Sequence, residues 1–247
     1  MTKLLVSVRD VEEAQIALDA GVDLIDMKDP TKGALGAVNA ADAQRIADLC
    51  GVRRKPLSMA LGELPADFPG DVNAFDPFAL FDDPPPTVPE EVSFAKIGLA
   101  GCARRPRWRA QLQLLRRTLD PNTGFVAVIY ADGDAVGAPA AEAIVAEAIG
   151  LEARAVLVDT AVKDGRTLFD HWSPAQLRRF VEEVQSLGML AVVGGGLTPV
   201  VIPQAVLSGA DYVAVRGAAC ATDRTSKIDA ARIRAIQQLL PRETTLG

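Results

Sequence analysis

Short apolar runs rich in β-branched residues recur along the chain, and longer segments with helical periodicity separate them. Runs of this kind predict strands, and strands that are apolar on both faces are typical of a parallel sheet covered by helices. We predict eight strands, over residues 4–8, 24–28, 56–60, 94–98, 125–130, 155–159, 190–193 and 212–216.

The segments between these runs carry recognisable helix ends. Asp10 with Glu13 predicts the start of a helix that Gly21 ends, and Asn39 caps a second helix that ends near Cys50. Further helices are predicted over residues 108–119, 139–149 and 226–240, with Ser173-Pro174 and Thr198-Pro199 as additional helix starts.

Strands that alternate with helices over this length predict one α/β domain, a (β/α)8 TIM barrel over residues 1–247. A doubly wound open sheet is the alternative. No G-x-G-x-x-G follows the first strand, which disfavours a dinucleotide-binding domain. The third helix should lie within residues 64–90, where seven of the 16 prolines fall, and we expect it to be short or irregular.

Charge narrows the class of partner. The chain has 26 basic and 32 acidic residues, a net charge of −6, and no long basic run, which argues against nucleic acid or an anionic membrane surface. Residues 189–210 carry no charge, but glycines and prolines divide them into a strand, a loop and a helix start rather than a membrane span. A small-molecule partner is expected.

The cysteines and the N-terminus indicate a cytoplasmic protein. Cys50, Cys102 and Cys220 are far apart, so neither a disulfide framework nor a zinc site is predicted. The apolar run within residues 1–9 is too short for a signal peptide. Alanine-rich outer helices further lead us to expect a homo-oligomer.

Three lysines lie at the predicted carboxyl ends of strands, where barrel enzymes place their reacting groups. Lys28 ends the second strand, Lys96 lies on the fourth and Lys163 follows the sixth, although the whole chain has only seven lysines. Their position indicates a role for an amine that can lose its proton. Arginine could not serve this role, because a guanidinium always stays charged. Schiff-base chemistry on a carbonyl is such a use, and burial and neighbouring cations both favour the neutral amine.

Two aspartates accompany these lysines. Asp26 shares a strand face with Lys28, because side chains alternate along a strand, and Asp159 ends the sixth strand. Both carboxylates suit proton transfer among intermediates of a carbonyl reaction. The alternative is a solvated ring of ion pairs with no catalytic role.

The loops after strands seven and eight predict an anion site, since glycine-rich turns let backbone N–H groups approach phosphate in such barrels. Arg216 would add a charge there. The residues expected to bind substrate are Ser7, Gly194, Gly195, Gly196, Arg216 and Gly217. Asp132 is a lesser candidate at the same end of the barrel. His171, the only histidine, lacks companion ligands, so we interpret it as a surface or capping residue and predict no metal site.

These motifs resemble the (5-formylfuran-3-yl)methyl phosphate synthase family. Its most specific blocks are Asp-Met-Lys-Asp-Pro at 26–30 and Asp-Thr-x-x-Lys-Asp-Gly at 159–165. The resemblance also rests on residues 4–9, 23–25, 33–36, 96–99, 194–197 and 215–217, in the same order along nearly the whole chain.

The resemblance implies a lyase that joins two molecules of glyceraldehyde 3-phosphate, with loss of phosphate and water, into the furan precursor of methanofuran. It implies Lys28 as the Schiff-base residue, with Lys96, Lys163, Asp26 and Asp159 completing the site, and no redox cofactor. The steps served by Lys96 and by Lys163 stay open. Alternatives are a class I aldolase acting on another sugar phosphate and a barrel that binds a phosphorylated metabolite without turnover.

Overall fold

The computed structural model describes residues 1–64 and 87–241, and its strands close into a barrel. Each strand pairs in parallel with the next along the chain, and the last pairs with the first. The predicted TIM barrel is therefore confirmed over the open sheet. The strands are β1 (Lys3–Val8), β2 (Leu24–Met27), β3 (Leu57–Glu63), β4 (Phe94–Gly98), β5 (Gly124–Tyr130), β6 (Ala155–Asp159), β7 (Leu190–Val193) and β8 (Tyr212–Val215).

The helices surround this barrel. In the described residues they are α1 (Val11–Asp19), α2 (Ala40–Val52), α3 (Trp108–Thr118), α4 (Gly133–Val136), α5 (Ala141–Gly150), α6 (Pro174–Ser186), α7 (Ile202–Leu207) and α8 (Ala230–Gln237). The side chains of Asp10, Asn39 and Ser173 cap α1, α2 and α6 as predicted. The helix expected within residues 64–90 falls largely outside the described residues. Within the described ranges, no helix is long and apolar enough to cross a membrane.

Two predicted helix starts are wrong. Helix α7 begins at Ile202 rather than at Pro199, because a preceding turn forms in which the Thr198 carbonyl accepts from the N–H of Val201 at 3.0 Å. Helix α8 begins after Asp229, whose carboxylate accepts from the N–H of Arg232 at 2.9 Å. The residues before Asp229 instead form turns and a bridge to the segment after β8.

Three strand ends also differ from prediction, and the β8 end does so by one residue, at Val215 rather than Arg216. β2 ends at Met27, although the N–H of Lys28 still donates to Val8 at 2.8 Å and holds that residue against β1. β3 continues to Glu63, past a register irregularity between Ala60 and Glu63. Lys28 and Glu63, at the carboxyl ends of β2 and β3, are therefore fixed by the strand pairing of the barrel.

The core has two parts, which separate the two faces of every strand. The larger cluster packs the outward faces of the strands against the helices. The smaller cluster fills the barrel interior with residues such as Leu5, Leu24, Val128 and Leu157. Polar residues replace this apolar pattern two positions further along, for example Asp26 after Leu24, so the interior becomes charged at its carboxyl end.

Candidate active site

A cavity of about 230 Å³ lies at the carboxyl end of the barrel. Its wall contains all of the residues predicted to carry chemistry, which are Asp26, Lys28, Lys96, Asp159 and Lys163. It also contains every predicted binding residue except Gly194. The five reacting side chains come from β2, β4 and β6 or from the loops that follow these strands, and they meet at the usual place for reacting groups in this fold.

Asp26 and Lys96 form one buried ion pair in this wall. The ammonium of Lys96 donates to Asp26 Oδ1 and, at 3.0 Å, to the hydroxyl of Ser58. The hydroxyl of Ser7 donates to Asp26 Oδ2 at 3.0 Å, since Ser7 and Asp26 are register partners on β1 and β2. Ser7 thus orients the Asp26 carboxylate, and both carboxylate oxygens are engaged.

Asp159 and Lys163 form the second ion pair. Lys163 Nζ lies 2.9 Å from Asp159 Oδ1 and 3.1 Å from the hydroxyl of Thr160. Burial alone would raise the pKa of Asp159, but the positive charges of Lys163 and Lys28 outweigh it, and the pKa lies below its ordinary value. Asp159 is therefore a carboxylate at neutral pH.

Lys28 stands apart from these two pairs. Its ammonium is 3.9 Å from Asp159 Oδ2, too far for a hydrogen bond, and it makes none with any described residue. Burial lowers the pKa of Lys28 to about 8, Asp159 and Asp26 oppose this shift, and the other two lysines add to it. The depressed pKa expected from the sequence is found, with burial rather than neighbouring cations as its largest cause.

The glycine loops form the opposite part of the wall. Gly195, Gly196 and Gly217 line the cavity, and among described residues no acceptor takes a hydrogen bond from their backbone N–H groups. A side chain at Gly196 would place its Cβ 2.5 Å from the carbonyl oxygen of Arg166, so only glycine fits. Gly194 does not line the cavity, because its N–H donates to Val158 at 2.8 Å and prolongs the pairing of β7 with β6.

Arg216 differs from the expectation that it supplies a charge to an anion. Its guanidinium forms a buried ion pair with Glu13, at 2.8 Å to Oε2. Its remaining donors reach the carbonyls of Ser7, Arg224 and Ser226, so all five N–H groups are engaged. Arg216 therefore holds β1, α1 and the loop after β8 together rather than presenting a free charge.

The structure also shows a half-buried hydrogen-bonded pair, Tyr130 with Glu63, that the sequence did not indicate. The Tyr130 hydroxyl donates to Glu63 Oε1, and Glu63 Oε2 accepts from the N–H of Ala100 at 2.9 Å. Burial raises the pKa of Glu63 despite these hydrogen bonds. Tyr130 is the register partner of Asp159. The only signal was a tyrosine at the end of a predicted strand, since Glu63 lay beyond the predicted end of β3.

Asp132 supports the site from behind. Its buried carboxylate accepts from the N–H groups of Ala161 and Val162, at 2.7 and 2.8 Å. These residues form the turn between Asp159 and Lys163. Asp132 thus fixes the turn on which Lys163 reaches back to Asp159, and it does not line the cavity itself.

His171 and the acidic residues form no metal centre in the described part of the chain, where no three His, Cys, Asp or Glu side chains cluster as ligands. His171 follows the 3-10 turn Leu168–Asp170, and its backbone N–H donates to Leu168 at 3.0 Å. It therefore ends a short helical turn, as the capping interpretation expected.

Replacing Lys28 by methionine should stabilise the protein at neutral pH. Between pH 8 and 10.5 the unfolded chain binds the Lys28 proton while the native state does not, so burying the ammonium costs stability that returns as the pH rises through this range. We expect Lys28→Met to raise the free energy of unfolding by on the order of 3 kcal/mol below pH 8, with the gain vanishing near pH 10.5.

Urea unfolding across this pH range measures the effect. Lys32→Met is the matched control, since the Lys32 side chain is 58% exposed, and we expect a change within about 0.5 kcal/mol at every pH. A Lys28→Met variant that is less stable than the parent at pH 7 would contradict the assigned cost of burial.

Removing the Asp132 carboxylate should release the turn that carries Lys163. Asp132→Ala leaves two partly buried N–H groups without an acceptor, so we expect the free energy of unfolding to fall by about 3 kcal/mol. Asp134→Ala, at an exposed position on α4, is the control and should change it by less than about 0.5 kcal/mol. Equal effects of the two substitutions in urea unfolding would show that Asp132 does not hold the turn.

Two solved barrel structures are similar to this chain over almost its whole length. Phosphoribosyl anthranilate isomerase from Thermotoga maritima is similar with a TM-score of 0.60 and 14% identity, covering 97% of this chain and 98% of the other. 3-Hexulose-6-phosphate synthase from Salmonella typhimurium is similar with a TM-score of 0.59 and 17% identity, over 97% and 98% of the two chains. At these identities the likeness shows the barrel fold alone.

Sequence relatives cover the chain at higher identity. The (5-formylfuran-3-yl)methyl phosphate synthase of Methanocaldococcus jannaschii is 33% identical over 96% of this chain and 98% of its own length. The protein of the same name from Methanococcus maripaludis is 35% identical over 88% of this chain and 89% of its own. The family model for 4-HFC-P synthase matches residues 4–237. The chain is therefore an enzyme that belongs to the 4-HFC-P synthase family.

Proposed function

We propose that this enzyme joins two molecules of glyceraldehyde 3-phosphate into (5-formylfuran-3-yl)methyl phosphate through a Schiff base on Lys28, as a lyase of methanofuran biosynthesis. The relatives bear the name of this synthase. The observation that carries the proposal is the state of Lys28, a buried amine with a lowered pKa in a cavity that it shares with two carboxylates.

Lys28 is the nucleophile because its lone pair is the most accessible among the three lysines. Lys96 and Lys163 donate hydrogen bonds to aspartates, whereas Lys28 makes none with a described residue. With a pKa of about 8, a usable fraction of Lys28 is neutral near pH 7. The amine attacks the substrate aldehyde to give a carbinolamine, which loses water to give an iminium.

The iminium makes the adjacent C2–H acidic, and Asp159 accepts that proton in this mechanism. The 3.9 Å distance between Asp159 Oδ2 and Lys28 Nζ supports this role. The resulting enamine can expel the phosphate from C3 of the same triose. Lys163 and Lys96 are cations within this wall that can return protons to leaving oxygen atoms. Asp26, held by Ser7 and Lys96, can deprotonate the second triose.

The product skeleton decides which atoms join. In (5-formylfuran-3-yl)methyl phosphate the formyl-bearing triose has lost its phosphate, and its C3 is bonded to C2 of the triose that keeps its phosphate. Attack of the second triose on the phosphate-free C3 of the Lys28 adduct gives this bond. Ring closure, hydrolysis of the iminium and dehydration complete the furan, with one phosphate and two waters lost overall and no change in total oxidation state.

The glycine loops suit the phosphate of a substrate. Gly195, Gly196 and Gly217 provide backbone N–H groups without partners among the described residues, at the same wall as Lys28. The proposal includes the expected cytoplasmic location, a single barrel domain, a homo-oligomeric state and no redox cofactor. It needs no nucleic-acid or membrane partner.

Borohydride trapping with glyceraldehyde 3-phosphate tests the proposal. Peptide mass spectrometry should find the reduced adduct on Lys28, and Lys28→Ala should abolish it and lower kcat by on the order of a thousandfold or more, because the covalent route is closed. Lys227→Ala, at an exposed position, should leave both readouts unchanged.

Product formation separates the alternatives. A furan absorbs in the near ultraviolet and an aldol does not, so an adduct on Lys28 without a furan would favour a class I aldolase. An adduct on Lys96 or Lys163 would exchange the roles of the lysines. Ligand binding without any adduct would contradict the mechanism and favour a barrel that binds a phosphorylated metabolite without turnover.

A further inference from the structure

One cation in the wall of the cavity lacks a carboxylate partner among the described residues. The other lysines and arginines there each lie within 4.0 Å of a carboxylate: Lys28 and Lys163 of Asp159, Lys96 of Asp26, Arg166 of Asp164 and Arg216 of Glu13. Arg224 lines the same cavity and forms no such pair in residues 1–64 and 87–241. Its positive charge is therefore available to a ligand.

The Arg224 side chain is nevertheless held in place. One terminal nitrogen donates to the carbonyl of Pro30 at 2.7 Å and the other to the carbonyl of Gly33 at 3.1 Å. Since a guanidinium has five N–H groups, three have no acceptor among the described residues. A fixed guanidinium with free N–H donors is preorganised to bind an anion through two hydrogen bonds.

The surroundings of Arg224 indicate where that anion would lie. A Cβ placed on Gly217 would be 3.7 Å from Arg224 Cβ, so Arg224 lies beside Gly217, whose backbone N–H has no partner in the described chain. Burial and the neighbouring Arg216 lower the pKa of Arg224, and the charge of Asp159 opposes this shift only in part. A phosphate beside Gly217 would accept hydrogen bonds from the backbone and from the Arg224 guanidinium.

We propose that Arg224 is the phosphate-recognition residue of the cavity and that it binds the phosphomonoester of one substrate molecule beside Gly217. The inference rests on the proposed function and names the residue that recognises its substrate class. Arg224 takes the role that the sequence assigned to Arg216, whose guanidinium is fully engaged with Glu13 and with backbone carbonyls. The same side chain holds residues 30–33, so phosphate binding acts next to the segment that follows Lys28.

Binding of sn-glycerol 3-phosphate, a phosphomonoester without an aldehyde, tests this assignment apart from the chemistry. In calorimetric titrations Arg224→Met should weaken binding by about tenfold or more, because it removes a charge-assisted, two-point contact. Arg224→Lys should bind with intermediate affinity, since it keeps the charge but loses the planar fork. Arg53→Met is the control, since Arg53 is an exposed arginine that is paired with Asp19 and does not line the cavity, and it should change the affinity less than twofold.

A second readout uses glyceraldehyde, which lacks the phosphate. Arg224→Met should leave its borohydride trapping on Lys28 unchanged while raising the KM for glyceraldehyde 3-phosphate. Circular dichroism checks that each variant is folded, and Arg224→Lys provides the comparison if the methionine variant is not.

The outcomes separate the two proposals. Unchanged affinity of folded Arg224→Met or Arg224→Lys for glycerol 3-phosphate, or an absence of binding to the parent protein, would overturn the role of Arg224 whatever the fate of the Lys28 adduct. Arg224-dependent binding without any lysine adduct would contradict the Schiff-base function but would still support the role of Arg224 in phosphate recognition.

Discussion

Three lysines share two aspartates at a place from which the barrel largely excludes water, and the chemistry of the site depends on this imbalance. Lys96 is hydrogen-bonded to Asp26, and Lys163 to Asp159. Lys28 is left with a distant carboxylate and no hydrogen bond to a described residue. A buried ammonium in that position is costly, so the protein lowers the pKa of Lys28 to about 8 rather than stabilise its charge. In the proposed mechanism, this cost of burial is what makes the Lys28 amine a nucleophile.

The scaffold maintains this arrangement through contacts made behind the cavity. The register of β1 with β2 sets Ser7 against Asp26, and Asp132 holds the turn between Asp159 and Lys163. Arg216 and Glu13 link the loop after β8 to the first strand and helix. Asp26 and the turn that carries Lys163 are thus held by residues of other strands or loops, which limits their motion and preserves the two ion pairs.

Much of the architecture could be predicted because the strands are buried on both faces and therefore appear as uninterrupted apolar runs. The positions of the cavity's lysines and aspartates were also predictable, since each lies within the later part of such a run or in the loop just after it. Thr198-Pro199 misled because a capping pattern also suits an isolated turn, and α7 begins only at Ile202. A local pattern could not distinguish these two structures.

The remaining site residues depend on contacts between distant segments. Arg216 follows β8 as an anion-binding cation would, but its partner Glu13 is 203 positions away, and no local pattern reveals that pairing. Arg224 lies in an irregular loop, so its orientation toward Pro30 could not be predicted. Glu63 was missed because β3 continues beyond a register irregularity. Tertiary packing decides all three.

Direct titration of Lys28 tests the central claim most closely. The rate at which an amine-selective acylating reagent modifies Lys28 would be followed from pH 6 to 11 by peptide mass spectrometry, with exposed Lys32 as the internal reference. We predict a midpoint near pH 8 for Lys28, well below that of Lys32. A Lys28 midpoint near the ordinary value of 10.5 would show that burial does not lower the pKa of Lys28, and would contradict its role as a neutral amine near pH 7.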